Sequence, residues 1–461
     1  MTAEHGSLTV GVIGLGHVGL PTALGLAEAG WHVLGADDDQ ARAGRIARGA
    51  APFYEPALGE LLGRNLANGH FRVVARPADA VAESDVLFVC VSTPPRADGA
   101  IDLSHVKQVA ELIGQHANGY KVVVEKSTTP VRTADLIIQT VQQLSDHRLD
   151  VVVNPEFLRE GRAVHDVLHP DRIILGVESD RARATMERLY RPILDRLPAP
   201  GECAECERIG RRHAAGERLL ITDRTTAELI KHTANALLAT RISFINMIAD
   251  FCEVTGADVT QVARGIGLDP RIGPHFLHAG IGYGGSCLPK DLRSFIRIAE
   301  AQGVDVSLLR AVAEINERRI ERFVDKLRQT LGVLSGKTIA VWGLAFKPGT
   351  DDVRDAPSLK VISRLLAEGA TVRVHDPQAM DNARQLLPKD SRRVEYCASP
   401  YEAATGAHAV LLLTEWEEYR ALDWARLRNV MDSPVLVDGR NLLDPTAVRA
   451  AGFEYIGIGR P

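Results

Sequence analysis

The sequence predicts an α/β protein made of two parallel-sheet domains joined by a long central helix. Three observations predict it. A strand, glycine turn, helix and second strand follow one another near the N-terminus; the same grammar restarts after Gly336; and between them residues 223–255 contain neither glycine nor proline. The 461 residues allow two to four domains at about 100 to 200 each. A hydrophobic fraction of 45% with 25% charged residues is that of a chain that buries sizeable cores.

The first element starts at Leu8 as LTVGVIGLGHVGLPTALGLAEAGWHVLGADDD. Gly14, Gly16 and Gly19 form a G-x-G-x-x-G turn after a strand and before a helix. In that context the first two glycines allow a tight turn and close approach of a pyrophosphate, and the third lets the helix pack on the strand. Helix N-terminal amides then meet the phosphate charge. Asp37 closes the second strand, where a carboxylate accepts both ribose hydroxyls and repels a 2′-phosphate, so the expected cofactor is NAD rather than NADP. Apolar runs at Val86–Val91, Lys121–Glu125 and Val151–Asn154 continue the alternation, giving a Rossmann-like NAD-binding domain over residues 1–220.

The glycine-free stretch Asp223–Thr255 is entered by the capping-box pattern Thr225-x-x-Glu228 and left at Gly256. A helix of that length spans roughly 50 Å. Ile230, Ala234, Leu237, Leu238, Ile242, Ile245, Ile248, Ala249 and Cys252 recur at helical spacing, as a connecting spine and a dimer-forming helix both require. A helical dimerisation domain is therefore expected over 221–330. Lys231 and Asn235, four residues apart beside that apolar stripe, put an ammonium and an amide on one face, a pairing expected at a domain interface.

The second copy, KTIAVWGLAFKPGTDDVRDAPSLKVISRLLAEGATVRVHDP, places Gly343 after one strand and Asp376 after the next. It lacks the G-x-G-x-x-G turn, so a Rossmann-like domain over 331–461 is expected to bind something other than a dinucleotide.

Chemistry concentrates in three loops. GIGYGGSCLPKD (280–291) carries four glycines, then Cys287, Lys290 and Asp291. Glycine this dense is entropically costly and implies backbone wrapped closely around a ligand. A thiol followed by a cation and a carboxylate is a candidate nucleophile, the alternative being a buried cysteine in a turn. NPEFLREG (154–161) and EKSTTP (125–130) each follow a strand, at the carboxyl edge where open α/β sheets place ligands.

Composition narrows the partners. Fifty-four Lys and Arg against 59 Asp and Glu give a net charge of -5, which supplies no global field for nucleic acid or an anionic membrane. No stretch reaches the ~18 apolar residues of a membrane span, and the first residues lack the basic and apolar pattern of a leader, so a soluble cytoplasmic chain is expected. Six scattered cysteines do not make a disulfide scaffold.

Taken together these segments, with Ser92-Thr93-Pro94, HPDRIILG (169–176), AELIKHTANALLATRISFINMIAD (227–250), DPRIGPHFLHAGIGYGGSCLPKD (269–291), GLAFKPGTDDVRDAPS (343–358) and DGRN (438–441), resemble the UDP-glucose/GDP-mannose (nucleotide-sugar) dehydrogenase family over nearly the whole chain. The resemblance implies a four-electron oxidation of a primary alcohol to a carboxylate with two NAD, through a thiohemiacetal and a thioester on Cys287. It implies that Asp291 and Thr128 handle a proton through water, that Lys231 and Asn235 stabilise oxyanions, and that Glu156 assists thioester hydrolysis. Cofactor contacts are implied for Val18, Asp37, Arg42, Thr93, Thr128, Glu160 and Arg354. Substrate contacts are implied for Glu156, Phe157, Leu158, Arg159, Glu160, Lys231, Asn235, Phe276, Leu277, His278, Ala279, Gly280, Gly284, Lys347 and Arg440, with Arg271 supplied across a homodimer or higher homo-oligomer. NPEFLREG, RISFINMIAD and GYGGSCLPKD are most similar to the branch acting on UDP-glucose. A GDP-mannose dehydrogenase also carries a GGSCLPKD-like loop, and the N-acetylhexosamine branch departs from GGSC. A non-catalytic sugar-nucleotide-binding regulator on the same scaffold is the alternative class, but the presence of Cys287, Lys231 and Asp291 favours an enzyme.

One segment departs from the family. Residues 198–218, PAPGECAECERIGRRHAAGER, are longer and more charged than expected before the helix. Cys203, Cys206 and His213 make at most half a zinc site, so a surface insertion without metal is expected.

Overall fold

The computed structural model describes residues 8–96, 98–196, 218–388 and 393–461. The Cys203, Cys206 and His213 reading therefore lies outside the described residues. Two compact units, Met1–Thr233 and Ala234–Pro461, make up the chain.

In the first unit, β1 (Thr9–Ile13), β2 (His32–Ala36), β3 (Phe71–Val73), β4 (Val86–Val89), β5 (Lys121–Glu125), β6 (Leu149–Val153), β7 (Ile173–Gly176) and β8 (Leu219–Thr222) form one sheet in the order β3-β2-β1-β4-β5-β6-β7-β8. The strands read as unbroken apolar runs because helices cover both faces. On β5, Val122 and Val124 enter one hydrophobic layer and Val123 the other, following the two-residue alternation of a strand. All neighbours run parallel except β6 and β7, which pair antiparallel at Val153 and Gly176. It follows that β7 starts at the carboxyl edge where β6 ends, which keeps residues 154–172 at the edge expected to hold ligands.

Helix α1 (Gly19–Glu28) opens directly from the glycine turn, and α2 (Thr133–Gln142) follows the EKSTTP loop. Helix α3 (Arg224–Thr255) has 32 residues, about 48 Å of rise. The expected capping box does not form. Asp223 caps the helix instead, with Thr226 N donating to Oδ1 at 2.8 Å and Thr226 Oγ1 to Oδ2 at 2.6 Å. Because the helix begins at Arg224, Thr225 already lies inside its first turn. Glu228 is released to another task, accepting from Arg132 N at 2.6 Å and Ala134 N at 3.1 Å at the start of α2.

In the second unit, β9 (Thr338–Trp342), β10 (Thr371–His375), β11 (Val394–Tyr396), β12 (Ala409–Leu412), β13 (Val435–Asp438) and β14 (Glu454–Ile456) form an all-parallel sheet ordered β11-β10-β9-β12-β13-β14. This repeats the order of the first six strands of the other sheet, so the two-copy reading holds at the level of topology. It holds at atomic detail as well. Gly14 N donates to Ala36 O and Gly343 N to His375 O, each at 2.8 Å, with φ of 93° and 94° at the two glycines. Leu15 N donates to Asp37 Oδ2 and Leu344 N to Asp376 Oδ2, each at 2.7 Å. In both copies a strand-end aspartate therefore pins the turn that follows the preceding strand. Helix α4 (Leu288–Ala301) belongs to this unit and begins directly after Cys287.

Candidate active site

The three glycines of the first turn have separate jobs. A Cβ on Gly14 would lie 2.7 Å from Cys90 O, and one on Gly19 would lie 1.7 Å from Gly14 O, so these two are required by the protein's own packing. A Cβ on Gly16 would meet nothing within 4 Å. Open space in front of Gly16 is what close approach of a pyrophosphate needs, and Val18 at the start of α1 offers no side-chain cap to the helix amides. The turn thus fits the phosphates of a dinucleotide. Asp37 Oδ1 accepts from Asp39 N at 3.0 Å, and Arg42 reaches both of its oxygens at 3.1–3.2 Å. Arg42 is half-exposed, whereas the Asp37 side chain that it pairs with is buried.

Thr93 and Thr128, from separate strand ends, are brought together by Thr93 Oγ1 donating to Thr128 O at 2.9 Å. Glu156 is buried, with Lys231 Nζ donating to Oε1 at 2.8 Å and Leu158 N to Oε2 at 2.7 Å. The Lys231 ammonium also lies 5.3 Å from the centre of the Phe157 ring. Next to them Lys126 is buried and donates to Asn154 Oδ1 at 3.1 Å, and burial lowers its pKa.

Arg159 does not project a free guanidinium. Its Nε and Nη2 donate to Asp166 at 2.8 and 2.5 Å. Burial pushes Asp166 up, but the bonds from Arg159 and His165 and the Arg159 charge outweigh it and hold the carboxyl well below its usual range. The Arg159 backbone is engaged as well, its N donating to Asp166 Oδ2 at 3.0 Å and its O accepting from Arg162 N at 2.8 Å. Glu160 follows, part-exposed, in the same loop. Sequence reasoning missed Glu55, whose oxygens accept from Gly161 N at 2.7 Å and Ala163 N at 2.8 Å and so fix the end of NPEFLREG. A lone glutamate a hundred residues upstream carries no local signal of that task.

In the second unit Asn235 Nδ2 donates to Asp291 Oδ2 at 2.6 Å, and Lys290 Nζ lies 2.7 Å from Asp291 Oδ1. Asp291 is buried in the first turn of α4, and Cys287 occupies the N-cap of that helix. Cys287 is exposed, whereas Cys90, Cys252 and Cys397 are buried. The bland reading of Cys287 as a turn residue packed away from solvent is thus excluded. The cap position puts the residue at the N-terminal end of the helix, where the helix dipole favours negative charge.

The neighbouring glycines need correction. Their density was expected to reflect a ligand, but the protein itself crowds them. A Cβ would come within 2.8 Å of Gly439 O at Gly280, 2.6 Å of Asn316 Oδ1 at Gly282, 2.4 Å of Asp355 O at Gly284 and 2.7 Å of the Phe346 ring at Gly285. They let this loop pack against loops of the second sheet and against Asn316 of the helix Ser307–Leu331.

Arg440 joins those loops, donating to Leu413 O at 2.8 Å, Gly282 O at 2.9 Å and Phe346 O at 3.4 Å. Lys347 follows Phe346, its ammonium 5.6 Å from that ring centre. In the 276–280 loop Phe276 has a φ of 60°, the side chains of Leu277 and Ala279 enter the core, and His278 is exposed. Gly280 N donates to Asn246 Oδ1 at 2.8 Å. Arg271 pairs with Asp269, away from the others, whereas the Arg354 side chain pairs with Asp352 and its carbonyl accepts from Gly285 N at 3.1 Å in the Cys287 loop.

Sequence models of the UDP-glucose/GDP-mannose dehydrogenase family match residues 8–194 as its NAD binding domain, 225–318 as its central domain and 340–445 as its UDP binding domain. The chain belongs to this family. It is therefore an NAD-dependent nucleotide-sugar dehydrogenase with two Rossmann-like domains, the second matching the family's UDP binding domain. It is 44% identical to a UDP-glucose 6-dehydrogenase of Pseudomonas aeruginosa over 98% of this chain and 97% of the relative. Identity is 42% to the UDP-glucose 6-dehydrogenase TuaD of Bacillus subtilis, over 98% and 93% of the two chains. A solved UDP-glucose dehydrogenase from Pyrobaculum islandicum superposes with a TM-score of 0.89 at 35% identity, covering 100% of both chains. No helix among the described residues is long and apolar enough to cross a membrane.

Proposed function

We propose that the chain oxidises the primary alcohol at C6 of UDP-glucose to the carboxylate of UDP-glucuronate, reducing two NAD. The observation that carries this reading is the exposed thiol of Cys287 at the cap of α4, four residues before an Asp291 that is buried and held by Asn235. Support for the sugar comes from the UDP-glucose 6-dehydrogenases at 42–44% identity.

Bound NAD supplies a hydride acceptor for each oxidation. In the first, Asp291 and Thr128 take the alcohol proton through water while the C6 hydride leaves, and Lys231 and Asn235 stabilise the oxyanion. The Cys287 thiolate adds to the resulting aldehyde, and the oxygen gains a proton to give a thiohemiacetal. That proton and the second C6 hydride then leave, producing a thioester. Water assisted by Glu156 releases the acid and returns the thiol. Gly14, Gly16, Val18, Gly19, Asp37, Arg42, Thr93, Thr128, Glu160 and Arg354 are assigned to NAD. All residues of the 156–160 and 276–280 loops, Glu160 among them, with Lys231, Asn235, Gly284, Lys347 and Arg440, are assigned to the UDP-sugar.

The division into an NAD domain (1–220), a dimerisation domain (221–330) and a UDP-sugar domain (331–461) belongs to the same proposal, as does a cytoplasmic setting in which thiols stay reduced. A homodimer formed through α3 is supported by Leu237, Phe244, Met247, Phe251 and Val254, which stand exposed at heptad-like spacing along the helix. Arg271, itself exposed, is assigned to the partner's substrate.

The test is purified protein with NAD and a panel of nucleotide sugars, following NADH absorbance. UDP-glucose should give the highest kcat/KM. A higher value with GDP-mannose or a UDP-N-acetylhexosamine would reassign the sugar, and no turnover with any of them would leave a binding protein.

A further inference from the structure

Glu125 closes β5 with its side chain buried. One oxygen accepts from Thr129 Oγ1; the other, Oε2, has no hydrogen-bond partner among the described residues. A second buried carboxyl, Glu228 of α3, faces it, with Asp135 of α2 adding like charge and Arg224 of α3 the opposing charge. Burial raises Glu228 as well, but it spends both oxygens on the amides of Arg132 and Ala134, bonds that favour its charged form and that Glu125 lacks. The proton of the pair therefore settles on Glu125, which burial, then the Glu228 charge, pushes up to about 8.

Thr129 is the residue through which this carboxyl reaches the site. Its carbonyl accepts from His232 Nε2 at 2.7 Å, and its chain neighbour Thr128 is held by Thr93. His232 in turn follows Lys231 on α3.

We propose that Glu125 is a positioning residue that acts as a neutral latch, holding Thr129, and with it the Thr128 loop, against the first turns of α3. The inference rests on the role assigned to Thr128 above. Ionised Glu125 sets a second buried negative charge against Glu228, and the loop gives way.

The sign follows from linkage. A carboxyl raised from its ordinary 4.5 to about 8 in the folded chain gives its full stabilising contribution below the ordinary value, and that contribution is lost as the pH rises through about 8. Glu125→Gln keeps the hydrogen-bonding shape and does not titrate. Its melting temperature minus that of the unsubstituted protein should climb between about pH 5 and pH 8 and level off above. At neutral pH Glu125→Gln should retain turnover within about three-fold, whereas Glu125→Leu should lower kcat at least about ten-fold with KM for the UDP-sugar little changed. A melting-temperature difference that stays flat across the window would overturn the latch, as would Glu125→Gln losing as much turnover as Glu125→Leu. The melting curves need no substrate, so they test the latch even where the sugar assignment fails.

Discussion

Lys231 Nζ donates to Glu156 Oε1 at 2.8 Å, with 6% and 5% of the two side chains exposed. Such a pair is a poor source of stability, since desolvating two charges costs about what their attraction returns. The roles proposed for Lys231 and Glu156, which need an ammonium and a carboxylate in a dry site, account for its presence. Lys231→Met, which strands the Glu156 charge, should cost about 3–5 kcal/mol in denaturant unfolding and abolish turnover. Lys231→Met combined with Glu156→Leu should recover most of that stability and none of the activity. Recovery of activity in the double variant would show the pair to be structural.

The glycine turn should separate binding from folding. Gly16→Ala meets no protein atom, so stability should move by less than about 0.5 kcal/mol while KM for NAD rises at least about ten-fold. Gly19→Ala drives a Cβ into Gly14 O and should destabilise by about 1–3 kcal/mol or more. Thermal melts with NAD titrations on both variants check this; an unchanged KM in Gly16→Ala would remove the pyrophosphate from the turn.

Asp37→Ala should narrow the preference for NAD over NADP, because it removes the carboxylate that repels a 2′-phosphate and leaves Arg42 to attract one. The variant should also lose some NAD efficiency, since Asp37 Oδ2 pins Leu15 N. Equal kcat/KM for both cofactors in the unsubstituted protein would contradict the role given to Asp37.

The second copy is assigned the diphosphate end of the sugar nucleotide, with Lys347 supplying a cation. Lys347→Ala should weaken UDP-sugar binding by at least about ten-fold and NAD binding by less than two-fold, measured by calorimetry. Equal losses for both ligands would contradict this division of labour.

Much of this architecture was legible because it is written locally. The G-x-G-x-x-G turn, Asp37 at the end of β2 and the repeat of both features at Gly343 and Asp376 need only short windows, and β5 falls on the apolar run Lys121–Glu125. What escaped is the pairing of buried polar groups distant in sequence. Nothing near Glu228 announces that it serves the amides of Arg132 and Ala134, nor that Glu55 serves Gly161 and Ala163. The capping-box pattern at Thr225 misled because Asp223, two residues earlier, was the better cap. The glycines of 280–285 were visible, but a sequence does not say whether a ligand or Phe346 and Asp355 crowd them.

In the proposed reaction one sugar is oxidised twice, the second time as an adduct of Cys287, and the decisive measurement is the NADH released per limiting UDP-glucose. The unsubstituted protein should release two NADH for each UDP-glucose consumed and yield the free acid. Cys287→Ser has no thiolate to add to the aldehyde and would form only a slowly hydrolysed ester, so its release should stall after limited NADH with a sugar adduct detectable in the intact-protein mass. Two NADH per UDP-glucose with full multiple-turnover formation of the acid, by either Cys287→Ser or Cys287→Ala, would contradict the account.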